Sequence, residues 1–83
     1  MAKETLVDYS QIQEQIVWLV LKHTRIEIEK LYKMIDADNQ IIEAVIKQLE
    51  SDGYLEVVQY LHREGDVLLT PKTISFPFGL YGN

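Results

Sequence analysis

Few residues in this 83-residue chain have the types and spacing to do chemistry. Ser10, Ser51 and Ser75 stand in no nucleophile-elbow context, and His23 and His62 lie far apart with no ligand partner at helical spacing. The run Asp36-Ala37-Asp38-Asn39 opens like a calcium loop. It fails at Ile41, where such a loop needs glycine, and at Lys47, where it needs glutamate. Catalysis, a metal and a cofactor are therefore not expected. What remains is the hydrogen-bonding chemistry of one short stretch. Asn39 and Gln40 can pair with adenine edges, Lys47 can meet a phosphate or guanine, and Ile41 can touch a thymine methyl. Glu43 can accept from cytosine but is repelled by phosphates, and Ala44 offers no polar group. Further along, His62 and Arg63 could reach a phosphate or a minor groove.

The elements that would carry these residues belong to one small domain with an adequate core. Apolar residues make up 47% of the chain, enough for a folded globule, and there are no cysteines. Disulfides and thiolate metal sites are thus excluded, and a reducing, cytoplasmic setting is expected. The longest apolar run, Ile16–Leu21, is far too short to span a membrane, and the first ten residues have no apolar signal core. A net charge of −5 counts against non-specific nucleic-acid binding, although charge placement matters more than the sum.

Residues 1–7 read as an arm. Ser10 and Gln13 form a capping-box pattern, with Asp8 as a rival cap, so a first helix runs from about Ser10 to His23. Ile12, Ile16, Leu19, Val20 and His23 share one side of it. Val17, Trp18 and Leu21 fall outside that stripe and need other cover, either the chain's own tail or a second subunit. Ile26 and Ile28 fit a short strand leading into a second helix over about 28–35, with Leu31 and Ile35 inward. Asp38 then caps a third helix whose inward stripe is Ile42, Ile46 and Leu49, ending at Gly53 in a left-handed C′ position. From Tyr54 the period changes to two. Tyr54–Leu61 and Val67–Thr70 read as strands around a polar tip at 62–66, and Pro71 halts the second. The last residues, 74–83, are too rich in Pro and Gly for a long helix. Phe76, Phe78, Leu80 and Tyr81 there need cover, with the first helix or a partner to provide it.

This order resembles the winged helix-turn-helix domain of small bacterial and archaeal regulators of the MarR and PadR kind. Ile26-x-Ile28-x-x-Leu31 is similar to the family's entry into its second helix, and Ile35-Asp36-Ala37-Asp38 to its turn. Leu49 to Leu55 resembles its exit into the wing, and Leu69-Thr70-Pro71-Lys72 the wing's end. The resemblance covers about residues 10–73 and implies an α+β, mainly α, fold: three helices, a short first strand and a C-terminal two-stranded wing. It further implies a DNA-binding transcriptional regulator, with the third helix in the major groove of duplex DNA and the wing on the backbone or minor groove.

Three features depart from the family pattern. Asp36 replaces the usual turn glycine, though Asp tolerates a left-handed backbone. Tyr32 stands where Ala is frequent, so the second and third helices pack further apart or the ring turns outward. The third is that residues 74–83 are not expected to form the long C-terminal helix by which many such regulators dimerise. A homodimer through the first helix, using Val17, Trp18 and Leu21, would combine two weak half-sites. Across residues 25–53 four cations face seven carboxylates. Asn39 and Gln40 are also ordinary first-turn residues, and Arg63 an ordinary solvated hairpin residue. The alternative is therefore an acidic winged-helix module that binds protein within a larger assembly.

Overall fold

The computed structural model describes residues 9–78. α1 (Tyr9–His23) leads through β1 (Arg25–Glu27) into α2 (Ile28–Met34) and α3 (Asn39–Ser51); β2 (Leu55–Val58) and β3 (Asp66–Leu69) follow, then a 3₁₀ turn at Thr73–Ser75. The three strands form one antiparallel sheet in the order β1-β3-β2. Val67 at its centre faces Ile26 on one side and Val57 on the other, and is fully buried. The expected α+β layout, with three helices, a short first strand and a two-stranded wing, is what the chain adopts.

The inward stripe of α1 is wider than its spacing suggested. Ile12, Ile16, Val17, Leu19 and Val20 are all buried, spanning roughly 160° of the helix at about 100° per residue. The reason is that α1 packs against α3, β1, β3 and the 3₁₀ turn together. Val17 therefore needs no second subunit, and Leu21 is partly buried against the same core; Trp18 alone of the three is exposed, at 52%. His23, expected on the inward side, is also exposed. Just beyond it Thr24 takes a left-handed backbone (φ 60°) while its N–H donates to the Val20 carbonyl at 2.7 Å. A β-branched residue is strained there, and its carbonyl is held by the N–H of Leu69 at 3.0 Å.

α3 buries Ile42, Val45, Ile46 and Leu49, each contributing roughly 1.5–3 kcal/mol by leaving water. Asp38 is its N-cap by position, but the carboxylate makes no capping bond; only its carbonyl accepts, from Ile41 and Ile42 at 3.0 Å each. Asp36 does not use a left-handed backbone either, since Thr24 is the one such non-glycine among the described residues. Gly53 does (φ 88°), as expected of a helix end. Tyr32 is half-buried against the core rather than turned outward.

The wing differs most from expectation. β2 ends at Val58, so Tyr60 and Leu61 lie in the loop, and Asp66, expected in the polar tip, is the first residue of β3 and buried. Gly65 explains the sharp return: a Cβ there would lie 2.1 Å from the Val58 carbonyl oxygen. Its own carbonyl accepts from Ile28 N–H at 3.0 Å, fastening the wing's return to the start of α2. Of the apolar tail, Phe76 is buried and Phe78 is 42% exposed. Leu80, Tyr81, Asp8 and the arm at 1–7 lie outside the described residues.

Candidate nucleic-acid interface

Opposite its buried stripe, α3 turns Asn39, Gln40, Glu43, Ala44 and Lys47 to solvent. Lys47 Nζ sits 3.8 Å from Glu43 Oε2, an exposed pair one helical turn apart. Such a pair is worth only about 0.3–0.5 kcal/mol, so Lys47 can leave it for a stronger anion. Ile41 is partly buried against the core, and Ala44 lies in a groove between α1 and α3 with Tyr9, Gln13 and Gln48. The hydroxyl of Tyr32 is held above the usual tyrosine range, first by burial and then by the carboxylates of Glu64 and Glu43. Carboxylates of the wing and of α3 thus act on one site at α2.

The wing is organised by a cluster that the sequence did not disclose. Asp66, its side chain 5% exposed, accepts from Arg25 Nε at 2.7 Å and Arg63 Nη1 at 3.0 Å. The Tyr60 hydroxyl donates to the same carboxylate at 3.2 Å and accepts from Arg25 Nη2. The Arg63 guanidinium also stacks over the Tyr60 ring at 4.1 Å and lies 4.0 Å from Glu27. Hydrogen bonds from Arg63, then from Arg25, hold the Asp66 carboxyl below the usual carboxylate range against the opposing effect of burial. Arg25 and Arg63 are each raised, chiefly by their bonds to Asp66. Arg63 is thus engaged within the wing, while its neighbour His62 is exposed.

A second set of contacts sets the far end of α3. Three successive carbonyls leave the helix: Asp52 accepts from Lys72 Nζ at 2.7 Å, Gly53 from Thr70 Oγ1 at 2.8 Å, and Tyr54 from Thr73 Oγ1. The Lys72 ammonium also lies 4.7 Å over the Tyr54 ring, and its charge suits a helix C-terminus. Phe76 closes this end, edge-on to Tyr54 with ring centres 5.1 Å apart. The polar run Thr70-Pro71-Lys72-Thr73 carried a turn signal. Nothing in it named the carbonyls it would reach.

No sequence-family model matches the chain, and no characterised sequence matches it. Its fold is similar to that of an organohalide-sensing transcriptional regulator, RdhR, solved in its 2,4-dichlorophenol-bound form. The TM-score is 0.62 at 17% identity, over 81% of this chain and 39% of the regulator's. The fold is a winged helix. The chain thus spans about two fifths of that regulator's length. Among the described residues of the winged helix, no three His, Cys, Asp or Glu side chains come together as a metal site, and no helix is long and apolar enough to cross a membrane.

Proposed function

We propose that this winged helix is the DNA-binding module of a small transcriptional regulator, with α3 in the major groove of duplex DNA. The observation that carries the reading is the two-sidedness of α3. One face is locked into the core by Ile42, Val45, Ile46 and Leu49, while Asn39, Gln40, Glu43 and Lys47 stand exposed on a fold shared with a known regulator. In this reading Asn39 and Gln40 meet base edges from the first turn, Ile41 adds an apolar contact, and Lys47 exchanges Glu43 for a phosphate. Glu43 discriminates among bases, and His62 and Arg63 approach the backbone from the wing. Affinity comes from pairing two half-sites in a homodimer, with Trp18 as the exposed apolar contact.

Fluorescence anisotropy against a pool of duplex fragments at low salt is the direct test. Binding at or below tens of micromolar is expected, since even non-specific binders reach about 10⁻⁴–10⁻⁶ M. Lys47→Ala should flatten the slope of log K against log salt by about 0.9 for each phosphate that the lysine neutralises. No duplex bound at that concentration ends the proposal.

A second reading, an acidic protein-interaction module, is favoured by one observation. Lys47, Arg25 and Arg63 each lie against a carboxylate of the chain itself, which leaves little positive field on α3 and the wing. Retention of a protein partner after nuclease treatment, with no duplex bound, would support it.

A further inference from the structure

β2 is an outer strand of the sheet, and its register fixes where its backbone groups point. Leu69 N–H donates to the Thr24 carbonyl, and the Gly65 carbonyl accepts from Ile28 N–H, both at 3.0 Å. Leu69 and Gly65 therefore turn their backbone groups toward the β1 side. Antiparallel partners alternate, so Leu68 and Asp66 turn theirs the other way, to Glu56 and Val58 on β2. Leu55 and Val57 are then left with N–H and C=O groups aimed away from the sheet. Neither residue's backbone meets a hydrogen-bond partner on that side among the described residues. Gln59 follows in the same alternation and is exposed. Natural sheet edges are usually guarded by lysine, proline, a bulge or an inward charge. Between Tyr54 and Leu61 the one charge is Glu56, and every other residue except Gln59 is tyrosine, valine or leucine. Leu61, just past the strand, is 95% exposed.

We infer that the open edge of β2 pairs antiparallel with the same edge of a second copy of this chain, joining the two sheets across a twofold axis at Val57. The two Val57 residues exchange N–H···O=C bonds with each other, and Leu55 bonds to Gln59 of the second copy. Charge selects both the register and the occupant. With Val57 on the axis, Glu56 falls opposite Val58 of the second copy. A shift that puts Glu56 on the axis sets two carboxylates face to face, which is destabilising. The edge thus calls for an extended, β-branched strand with no carboxylate opposite Glu56, and β2 itself is such a strand. A four-residue edge covers far less surface than a stable dimer needs, so the pairing is weak, with Kd on the order of 0.1–1 mM. It uses a different element from Trp18 on α1, and it stands whether or not α3 meets DNA.

The test is amide NMR of the full chain, diluted from about 1 mM to about 0.02 mM, in the parent and in Trp18→Glu, where pairing through α1 is removed. Concentration-dependent shifts are expected at Leu55, Val57 and Gln59, smaller ones at Glu56 and Val58, and the same set in both proteins. Proline lacks the N–H and is tolerated on an edge strand where that N–H faces solvent. Val57→Pro and Gln59→Pro each delete one outward donor and leave the bonds of Glu56 and Val58 to β3 in place. Each should weaken self-association about fivefold or more. Should Val57→Pro fail to fold, Gln59→Pro, at an exposed position outside the strand, decides the matter with the parent's Tm retained. No shift on dilution, shifts that vanish in Trp18→Glu, or a Gln59→Pro dilution curve identical to the parent's would each overturn the inference. Leu55 and Val57 amides that exchange slowly at every concentration would also overturn it, since the chain's own residues would then cover the edge.

Discussion

Replacing Thr73 with valine should unfasten the end of α3 without changing the shape of the core. Thr73 is fully buried; its hydroxyl accepts from Thr70 N–H at 2.7 Å and donates to the Tyr54 carbonyl. Valine fills the same space and strands both backbone groups, each costing roughly 1–3 kcal/mol when left unpaired. A methyl in place of the hydroxyl returns about 0.8 kcal/mol through added apolar burial. The net loss is about 1–5 kcal/mol, against a total stability of roughly 4–12 kcal/mol for a chain of this length. Thermal unfolding followed by circular dichroism should show it, with a fall in Tm of about 5–30 °C. Thr73→Ser keeps the hydroxyl and should retain most of the stability. Hydrogen exchange should quicken at Tyr54 and Thr70 in the valine variant and not in the serine one. A valine variant within about 0.5 kcal/mol of the parent, or a serine variant equally damaged, would refute the reasoning.

Three other outcomes follow from the same structure. Val17→Ala should lose about 2 kcal/mol in urea unfolding, whereas Trp18→Ala on the exposed side should stay within about 0.5 kcal/mol; equal losses would mean that the burial of α1 is misassigned. Because the Asp66 carboxyl is held low in the fold, its contribution is fully present above the unfolded carboxylate pKa of about 3.9 and is lost as pH falls through the lower folded value. Asp66→Asn should therefore flatten the fall of Tm below about pH 4, and an acid limb as steep as the parent's would count against the cluster. If α1 supports a homodimer, Trp18→Glu should sediment as a monomer where the parent does not, and a parent monomeric at high concentration would remove that step.

Much of the fold was legible because helices and strands are written in short-range spacing. Ile42, Ile46 and Leu49 at intervals of four and three marked the inward face of α3, and Gly53 its end. The shift to period two at Tyr54 marked the sheet. Where the chain departed from expectation, the cause was packing from more than one side. Val17 lies off the primary stripe of α1, and only the simultaneous contact of α1 with α3, the sheet and the 3₁₀ turn buries it. Asp38 sits where a cap belongs, yet its position did not dictate the rotamer that would make the bond.

The candidate site divides along the same line. The identity of the outward residues of α3 follows from local periodicity, so Asn39, Gln40, Glu43 and Lys47 could be named from the sequence alone. Whether the cations near them are free is decided by distant partners. Arg25 meets Asp66 because β1 pairs with β3, in a register that sets Arg25 opposite Leu68 and Glu27 opposite Asp66. Arg63 and Tyr60 join them because Gly65 lets the loop fold tightly back against Val58. An arginine in a polar hairpin looks solvated in a sequence, since residue type carries no record of a carboxylate brought near by strand pairing. The sequence by itself determined a winged helix with an acidic surface. Only the tertiary structure decided that Asp66 is buried, that two arginines hold it, and that Thr70, Lys72 and Thr73 clamp the end of α3. Each of those contacts joins residues whose meeting depends on the assembled sheet and core rather than on helical or strand period.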